Sequence, residues 1–220
     1  MVALSFPKEI PSFGKTATFM PKPLADENGS GMHTHQSLFR GEKNAFFDPA
    51  DEYLLSADAK AFIAGQLRHA RELSCVFAQW VNSYKRLVPG YEAPVYIAWS
   101  RRNRSALIRV PMYHVGKEKA TRCELRAPDP ACNPYLTFSA ILLAAIDGIQ
   151  NKIHPGEPLD RDIYDMPPEE LKSVPKAPGS LDEALDALQR DCDFLLRGDV
   201  FTQDVIDTWL AWKRDKEVAP

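Results

Sequence analysis

No apolar run in this chain approaches the roughly 20 residues that a bilayer-spanning helix needs, which excludes a helical membrane protein. No Cys-x-x-Cys pair occurs among its four cysteines, Cys75, Cys123, Cys132 and Cys192. Thiols so widely spaced read as buried and free, in a reducing cytoplasm, rather than as a disulfide framework. The start, Met1 to Pro7, has too short an apolar region and no basic flank for a signal peptide. Net positive charge is also lacking. The formal charge is -3, which argues against a general nucleic-acid binder. There is no internal repeat and no low-complexity tract. What remains, 220 residues with 45% hydrophobic and 26% charged side chains, is the composition of a globular protein with one sizeable core.

The positive charge that the chain does have is gathered in one place. Between Asn82 and Arg126 lie ten basic residues (Lys85, Arg86, Arg101, Arg102, Arg104, Arg109, Lys117, Lys119, Arg122, Arg126) against Glu92, Glu118 and Glu124, so the rest of the chain carries -10. Cations punctuate strand-like text at Val95 to Trp99, Ala106 to Val110 and Thr121 to Arg126. In the last run Arg122, Glu124 and Arg126 alternate, which places all three on one strand face. Such a face meets an anion, a metal or its own opposite charges, and arginine suits the forked oxygens of carboxylate and phosphate. A solvated basic face with surface ion pairs is the other reading of the same pattern.

Elsewhere, Lys15 to Met20 reads as a short strand stopped by Pro21 and Pro23. Gly29 and Gly31 allow a tight turn with amides open to an anionic ligand. His33, His35 and Ser37 follow at intervals of two, a shared strand face able to hold a metal or a phosphate, or neither. Ser56 to Tyr84 carries apolar residues at three and four and predicts one long helix. It leads through Pro89-Gly90 to Glu92, either a side chain that moves over a pocket or an ordinary exposed loop glutamate. A second helix, apolar on most sides and so buried, is expected from about Tyr135 to Ile153. Prolines then mark an irregular stretch to Pro178. Ser180-Leu-Asp-Glu183 is a capping-box helix start with Ala184, Leu185, Leu188 and Leu195 inward, and Gln203 to about Lys216 is a last amphipathic helix. Residues 156 to 220, with sixteen acidic and eight basic side chains, suggest a solvated helical end.

Four blocks in order resemble the bacterial type I glutamine synthetases. They are Lys15-Thr-Ala-Thr-Phe-Met-Pro-Lys-Pro23 with Asn28-Gly-Ser-Gly-Met-His-Thr-His35; Asn82-Ser-Tyr-Lys-Arg-Leu-Val-Pro-Gly-Tyr-Glu92; Arg102-Asn-Arg-Ser-Ala-Leu-Ile-Arg-Val-Pro111; and Cys123-Glu-Leu-Arg-Ala-Pro-Asp-Pro-Ala-Cys-Asn-Pro-Tyr135. The resemblance runs from about Gly14 to the last helix. It implies an α+β fold, an incomplete antiparallel barrel-type sheet packed by helices as in the guanido-kinase-like class, with residues 14 to 220 as the C-terminal portion of the catalytic domain and 1 to 13 unplaced.

The resemblance also implies a chemistry: ATP-dependent joining of ammonium to glutamate through γ-glutamyl phosphate. Glu92 and Arg104 would be catalytic, Glu92 as the flap glutamate that helps deprotonate ammonium. Asn28, Gly29, Arg86, Arg104 and Arg126 would hold glutamate or the transferred phosphate. His35, Ser37, Arg109, Lys119 and Arg122 would face ATP, and His33 and Glu124 would ligate magnesium or manganese. Tyr164 resembles the tyrosine that an adenylylating enzyme modifies in some members, although Asp162 stands where that subgroup commonly has Asn; an ordinary loop tyrosine is the other reading. Members of this family are cytoplasmic homo-oligomers, a dodecamer of two rings, and roughly twice this length. The further length carries a β-grasp domain, the first barrel strands and four metal-binding glutamates, and a terminal segment reaches a neighbouring subunit. The expectation is therefore a chain catalytically dead or feeble alone. A non-catalytic ATP- or glutamate-binding or synthetase-docking protein, and a γ-glutamyl ligase for another amine, are the alternatives.

Overall fold

The computed structural model describes residues 14, 15, 17–101, 103–112, 116–161 and 166–219. Strands β1 (Thr34–Gln36), β4 (Tyr96–Ser100), β5 (Ala106–Arg109) and β6 (Cys123–Leu125) form a sheet in the order β1-β6-β5-β4, beside a small hairpin of β2 (Phe39–Arg40) and β3 (Lys43–Asn44). The helices are α1 (Ala57–Arg68), α2 (Ala70–Phe77), α3 (Val81–Arg86), α4 (Pro134–Gln150), α5 (Pro168–Ser173), α6 (Leu181–Arg190) and α7 (Gln203–Lys213). The expected α+β class holds, with an open sheet rather than a closed barrel.

The sheet is not antiparallel throughout. β6 runs antiparallel to both β1 and β5, but β4 and β5 are parallel. Parallel neighbours ordinarily need a crossover of a dozen or more residues, whereas five residues join Ser100 to Ala106 here. The return is feasible because four steps of about 3.3 Å are all that must be recrossed.

The single long helix expected over 56 to 84 is three. Ser56 caps α1 by accepting from the Ala59 amide. The chain then bends at His69, whose imidazole Nε2 sits 2.9 Å from Asp147 Oδ2 and whose ring stacks on Phe194. A second break spans Ala78 to Trp80. Lys15 to Met20 forms no strand among the described residues. Within it Met20 N–H donates to Thr18 Oγ1 at 3.1 Å, a local bond that builds no ladder.

The core lies between sheet and helices. Phe46 meets Phe62 edge-on at 5.0 Å, and Trp99 meets Tyr53 at 5.2 Å. Helices α1 and α4 cross closely at Gly65 and Gly148: a Cβ on either would lie 2.1 Å from a backbone oxygen of the facing helix. The C-terminal region is more than a solvated end, because Leu181, Leu185, Leu188, Phe194, Phe201 and Ile206 join the main core. Their helix α6 starts on a modified capping box. Ser180 Oγ accepts from Glu183 N–H at 3.1 Å, but Glu183 reaches back to Gly179 N–H at 2.8 Å. Conversely α4 is not buried all round, since Tyr135 (82% exposed), Phe138 and Leu142 form a bare stripe. Phe138, Ile141 and Leu142 line an open groove with β1 at the sheet edge.

All four cysteines are free thiols; burial pushes Cys75 and Cys123 up to about 12. Among the described residues no helix is long and apolar enough to cross a membrane.

Buried Asn44 ties the hairpin to the segment before β6. Its amide donates to Thr121 O at 2.8 Å and Lys119 O at 3.2 Å, and its Oδ1 accepts from Phe46 N–H at 2.9 Å. Asn44→Ala should lower stability by about 2 kcal/mol, the cost of orphaned buried carbonyls, read as a urea midpoint shift at unchanged slope.

Candidate active site

Glu124, at the centre of β6 and 3% exposed, organises one sheet face. The ladder sets His35 opposite it on β1 and Arg109 opposite it on β5. Glu124 Oε1 lies 3.0 Å from His33 Nδ1 and 3.1 Å from an Arg126 guanidinium nitrogen. Oε2 lies 2.7 Å from Arg109 Nε, yet this contact is off the hydrogen-bond axis and leaves both atoms without a directed partner. Oε2 is thus held by charge rather than by a directed hydrogen bond. Along β1 the odd residues, His33, His35 and Ser37, are exposed while the even ones turn inward, as the period of two requires. Arg122 Nε donates to His35 Nδ1 at 3.1 Å. The alternation of Arg122, Glu124 and Arg126 thus sets three groups on one face, Arg122 half-buried and the other two buried.

His33 is held neutral. Burial first, then the Arg126 guanidinium, pushes its pKa down to about 4 despite the pull of Glu124. An unfolded imidazole binds its proton near 6.5, so the unfolded chain takes up the proton first on acidification. Stability falls as pH drops from about 6.5 toward 4. His33→Gln should flatten that part of the dependence, measured as the change in urea midpoint between pH 7 and pH 5 in metal-free protein. An unchanged slope in the variant would refute the neutral imidazole.

Gly29 and Gly31 act by close approach, not by a left-handed turn, since neither has positive φ. A Cβ on Gly31 would lie 2.6 Å from His33 Nε2 and 2.7 Å from Arg86, and one on Gly29 would lie 2.7 Å from Arg86 Cγ. The intervening amides serve the fold: Ser30 N–H donates to Pro21 O and Met32 N–H to Pro128 O.

Beneath this loop Arg86 is buried, and its guanidinium donates to Ala127 O at 2.7 Å and Arg126 O at 2.8 Å. Burial lowers its pKa to about 10, with Asp129 opposing and Arg126 adding to the shift. Its immediate task is to fix the backbone that carries Arg126. Asp129, fully buried, is pushed up by burial against the Ser83 hydroxyl, the Ala131 amide and Arg86.

Arg104 and Glu92 stand apart from this cluster and face each other. One Arg104 nitrogen is 3.2 Å from both Glu92 oxygens, with the side chains 62% and 57% exposed. Glu92 has φ +52° and follows Gly90 at φ +95°, so this loop holds a non-glycine residue in the strained left-handed region. Arg104 is tied to the cluster through its backbone, its carbonyl accepting from Arg126 Nε at 3.1 Å. Asn28 is exposed on the loop before Gly29. Lys119 lies on the surface with Glu42. Arg102 and Tyr164 are outside the described residues.

Two supporting residues escaped the sequence reading. Lys22 is buried, its Nζ donating to Glu27 O and lying 3.8 Å from the centre of the Tyr91 ring. It joins the Asn28 loop to the Glu92 loop. Asn82 holds Lys22 in turn, with backbone bonds in both directions at 2.8 and 3.1 Å. The Lys-Pro beside a glycine loop was the available signal.

As for a metal, the donor set fits part of a divalent-cation site. His33 and Glu124 converge, but no group of three His, Cys, Asp or Glu does so among the described residues. Two donors suffice for magnesium or manganese only where water and phosphate complete the shell.

The family described as "Glutamine synthetase, catalytic domain" matches residues 10–220. Glutamine synthetases of Frankia alni (54% identical over 207 residues, 94% of this chain, 44% of the relative) and Escherichia coli K12 (53% over 206 residues, 93% and 43%) are similar in sequence. The solved Plasmodium falciparum glutamine synthetase superposes with a TM-score of 0.84 at 31% identity, covering 95% of this chain and 48% of that one. The chain spans under half the length of the relatives it matches. With the family's match running from residue 10 to residue 220, over the sheet face built on Glu124, this chain belongs to the glutamine synthetase catalytic-domain family.

Proposed function

We propose that this chain carries part of the active site of a cytoplasmic glutamate–ammonia ligase, with residues 14 to 220 as one portion of its catalytic domain. The observation that supports this most is a buried carboxylate, Glu124, bracketed by Arg109, Arg126 and His33 on one sheet face. Such a face offers fixed positive charge to two anions at once, as phosphoryl transfer to a carboxylate demands.

In this reading Asn28, Gly29, Arg86, Arg104 and Arg126 serve glutamate, Arg86 by positioning Arg126. His35, Ser37, Arg109, Lys119 and Arg122 line the ATP side. The γ-carboxylate of glutamate attacks the terminal phosphorus of ATP, ADP leaves, and ammonia then displaces phosphate from the acyl carbon. Glu92, freed from Arg104, takes the proton that ammonium gives up. His33 and Glu124 would hold magnesium or manganese, which when bound neutralises phosphate oxygens. A homo-oligomer and adenylylation of Tyr164 belong to the same proposal.

A second reading, ligand binding without turnover, is favoured by the convergence of two metal donors, His33 and Glu124, and no third among the described residues. Glutamine formation by the purified chain with glutamate, ammonium, ATP and manganese separates the two. Turnover lost in Arg126→Ala supports the ligase. Saturable ATP and glutamate binding by calorimetry without turnover fits the second reading and a partial site alike, and neither binding nor turnover refutes the second reading and points to a part that works only within a larger assembly.

A further inference from the structure

The five-residue return between the parallel strands β4 and β5 has an unusual source of order. A chain reversing this sharply leaves amides that no ladder can satisfy, and buried or half-buried amides need acceptors. Three amides of the β4 end and the return, those of Arg101, Asn103 and Ser105, find side-chain oxygens. Arg101 N–H donates to Asp160 Oδ1 at 2.8 Å, Asn103 N–H to Ser100 Oγ at 2.9 Å, and Ser105 N–H to Asn103 Oδ1 at 2.9 Å.

Asp160 stands at the root of this chain of bonds. Its Oδ1 also accepts from Ser100 Oγ at 3.0 Å, orienting the hydroxyl that receives Asn103. Its Oδ2 accepts from Arg101 Nε at 2.8 Å, and the Arg101 guanidinium lies over the Tyr53 ring at 4.6 Å. Asn103 Nδ2 closes the circuit on Arg161 O at 3.2 Å. The segment bearing Asp160 is itself pinned, by Leu159 N–H to Trp99 O at 2.8 Å. Partial burial raises the Asp160 carboxyl, and the Arg101 amide, the Arg101 guanidinium and Ser100 overcome it, leaving the group below the usual carboxylate range. It is a charged acceptor at neutral pH.

The residue this frame presents is Arg104. Its carbonyl is held from one side by Arg126 Nε, and the frame sets the neighbouring residues Asn103 and Ser105 from the other. The guanidinium is left free to reach outward, where Glu92 now occupies it. We propose that Asp160 is a positioning residue for the candidate site: its carboxylate shapes the 101–105 return and thereby aims Arg104 at the ligand. This rests on the reading of Arg104 as ligand-facing. It adds a residue 56 positions away in sequence that touches neither ligand nor reacting atoms.

Two variants of the chain test it. Asp160→Asn keeps the shape but turns a donor toward Arg101 or Ser100, whichever way the amide rotates. Asn103→Ala removes the next link and leaves the Asp160 charge in place. Backbone exchange of the Arg101, Asn103 and Ser105 amides should quicken at least tenfold in Asp160→Asn while α1 and α4 keep wild-type protection. Calorimetric titration with glutamate should show about tenfold weaker binding in both variants. Combined with Arg104→Gln, Asp160→Asn should cost nothing more than Arg104→Gln alone, because the two act through one group.

An additive loss in the double variant, or wild-type affinity in Asp160→Asn, overturns the inference and leaves the site reading standing. Wild-type chain that binds no glutamate overturns the site reading, and this inference with it. If Asp160→Asn proves unfolded by circular dichroism, the same comparison is made with Asn103→Ala.

Discussion

Gly148→Ala should destabilise the chain by about 3 kcal/mol or more, although alanine favours a helix interior over glycine by about 1 kcal/mol. The sign is decided by space. A Cβ at Gly148 lies 2.1 Å from Ala61 O and 2.8 Å from the Gly65 Cα, and a Cβ at Gly65 lies 2.1 Å from Ala144 O. These are backbone atoms of a facing helix, so no side chain can swing aside and the helices must separate. Separation would loosen the packing of α1 against the sheet that carries Arg109 and Glu124. Gly179→Ala, whose Cβ would meet only Glu183 Oε2 at an ordinary 3.6 Å, should change stability by no more than about 0.5 kcal/mol. Urea denaturation of the two variants decides the matter. Equal midpoints would mean that α1 and α4 do not cross at these glycines.

How far the sequence revealed this site depends on the range of the forces involved. The alternation of Arg122, Glu124 and Arg126, and of His33, His35 and Ser37, follows from the strand period alone, and the structure sets both on the face where Glu124 gathers its partners. The roles of Glu92 and Arg104 came only through family resemblance, since nothing local distinguishes a loop glutamate. The break at His69 was invisible to helical periodicity because its cause is Asp147, 78 positions away. The parallel pairing of β4 and β5 was missed for a similar reason. A five-residue connection reads as a hairpin unless one knows that Asp160, 59 residues beyond Arg101, supplies the acceptors. Arg86 reads in the sequence as one more cation of the cluster, and only the structure shows that it is buried and bonded to the backbone at Arg126 and Ala127. Short-range pattern thus placed side chains on faces; long-range polar bonds decided which of them reach solvent.

Glu124→Gln should remove the dependence of ATP binding on manganese while leaving metal-free ATP binding equal or tighter. The argument is one of charge at fixed shape. In the native face one carboxylate stands among Arg109, Arg126 and His33, reducing the net positive field that a polyphosphate meets. Glutamine abolishes that negative charge, so the bare phosphate groups gain from Arg109 and Arg126. It also removes one of the two donors proposed for the metal, and an amide oxygen is a far poorer partner for a divalent cation than a carboxylate. The ratio of ATP affinities with and without manganese should therefore fall at least tenfold. Arg126→Ala should weaken ATP or glutamate binding in both conditions, because it removes attraction while keeping both donors in the chain. Glu124→Ala goes further and strands the buried Arg126 guanidinium, costing about 3 kcal/mol of stability, so the glutamine variant is the cleaner probe. Fluorescence or calorimetric titration at matched ionic strength reads both ratios. Manganese-stimulated binding that survives in Glu124→Gln would remove Glu124 from the metal site and return it to the role of a buried counter-charge for two arginines.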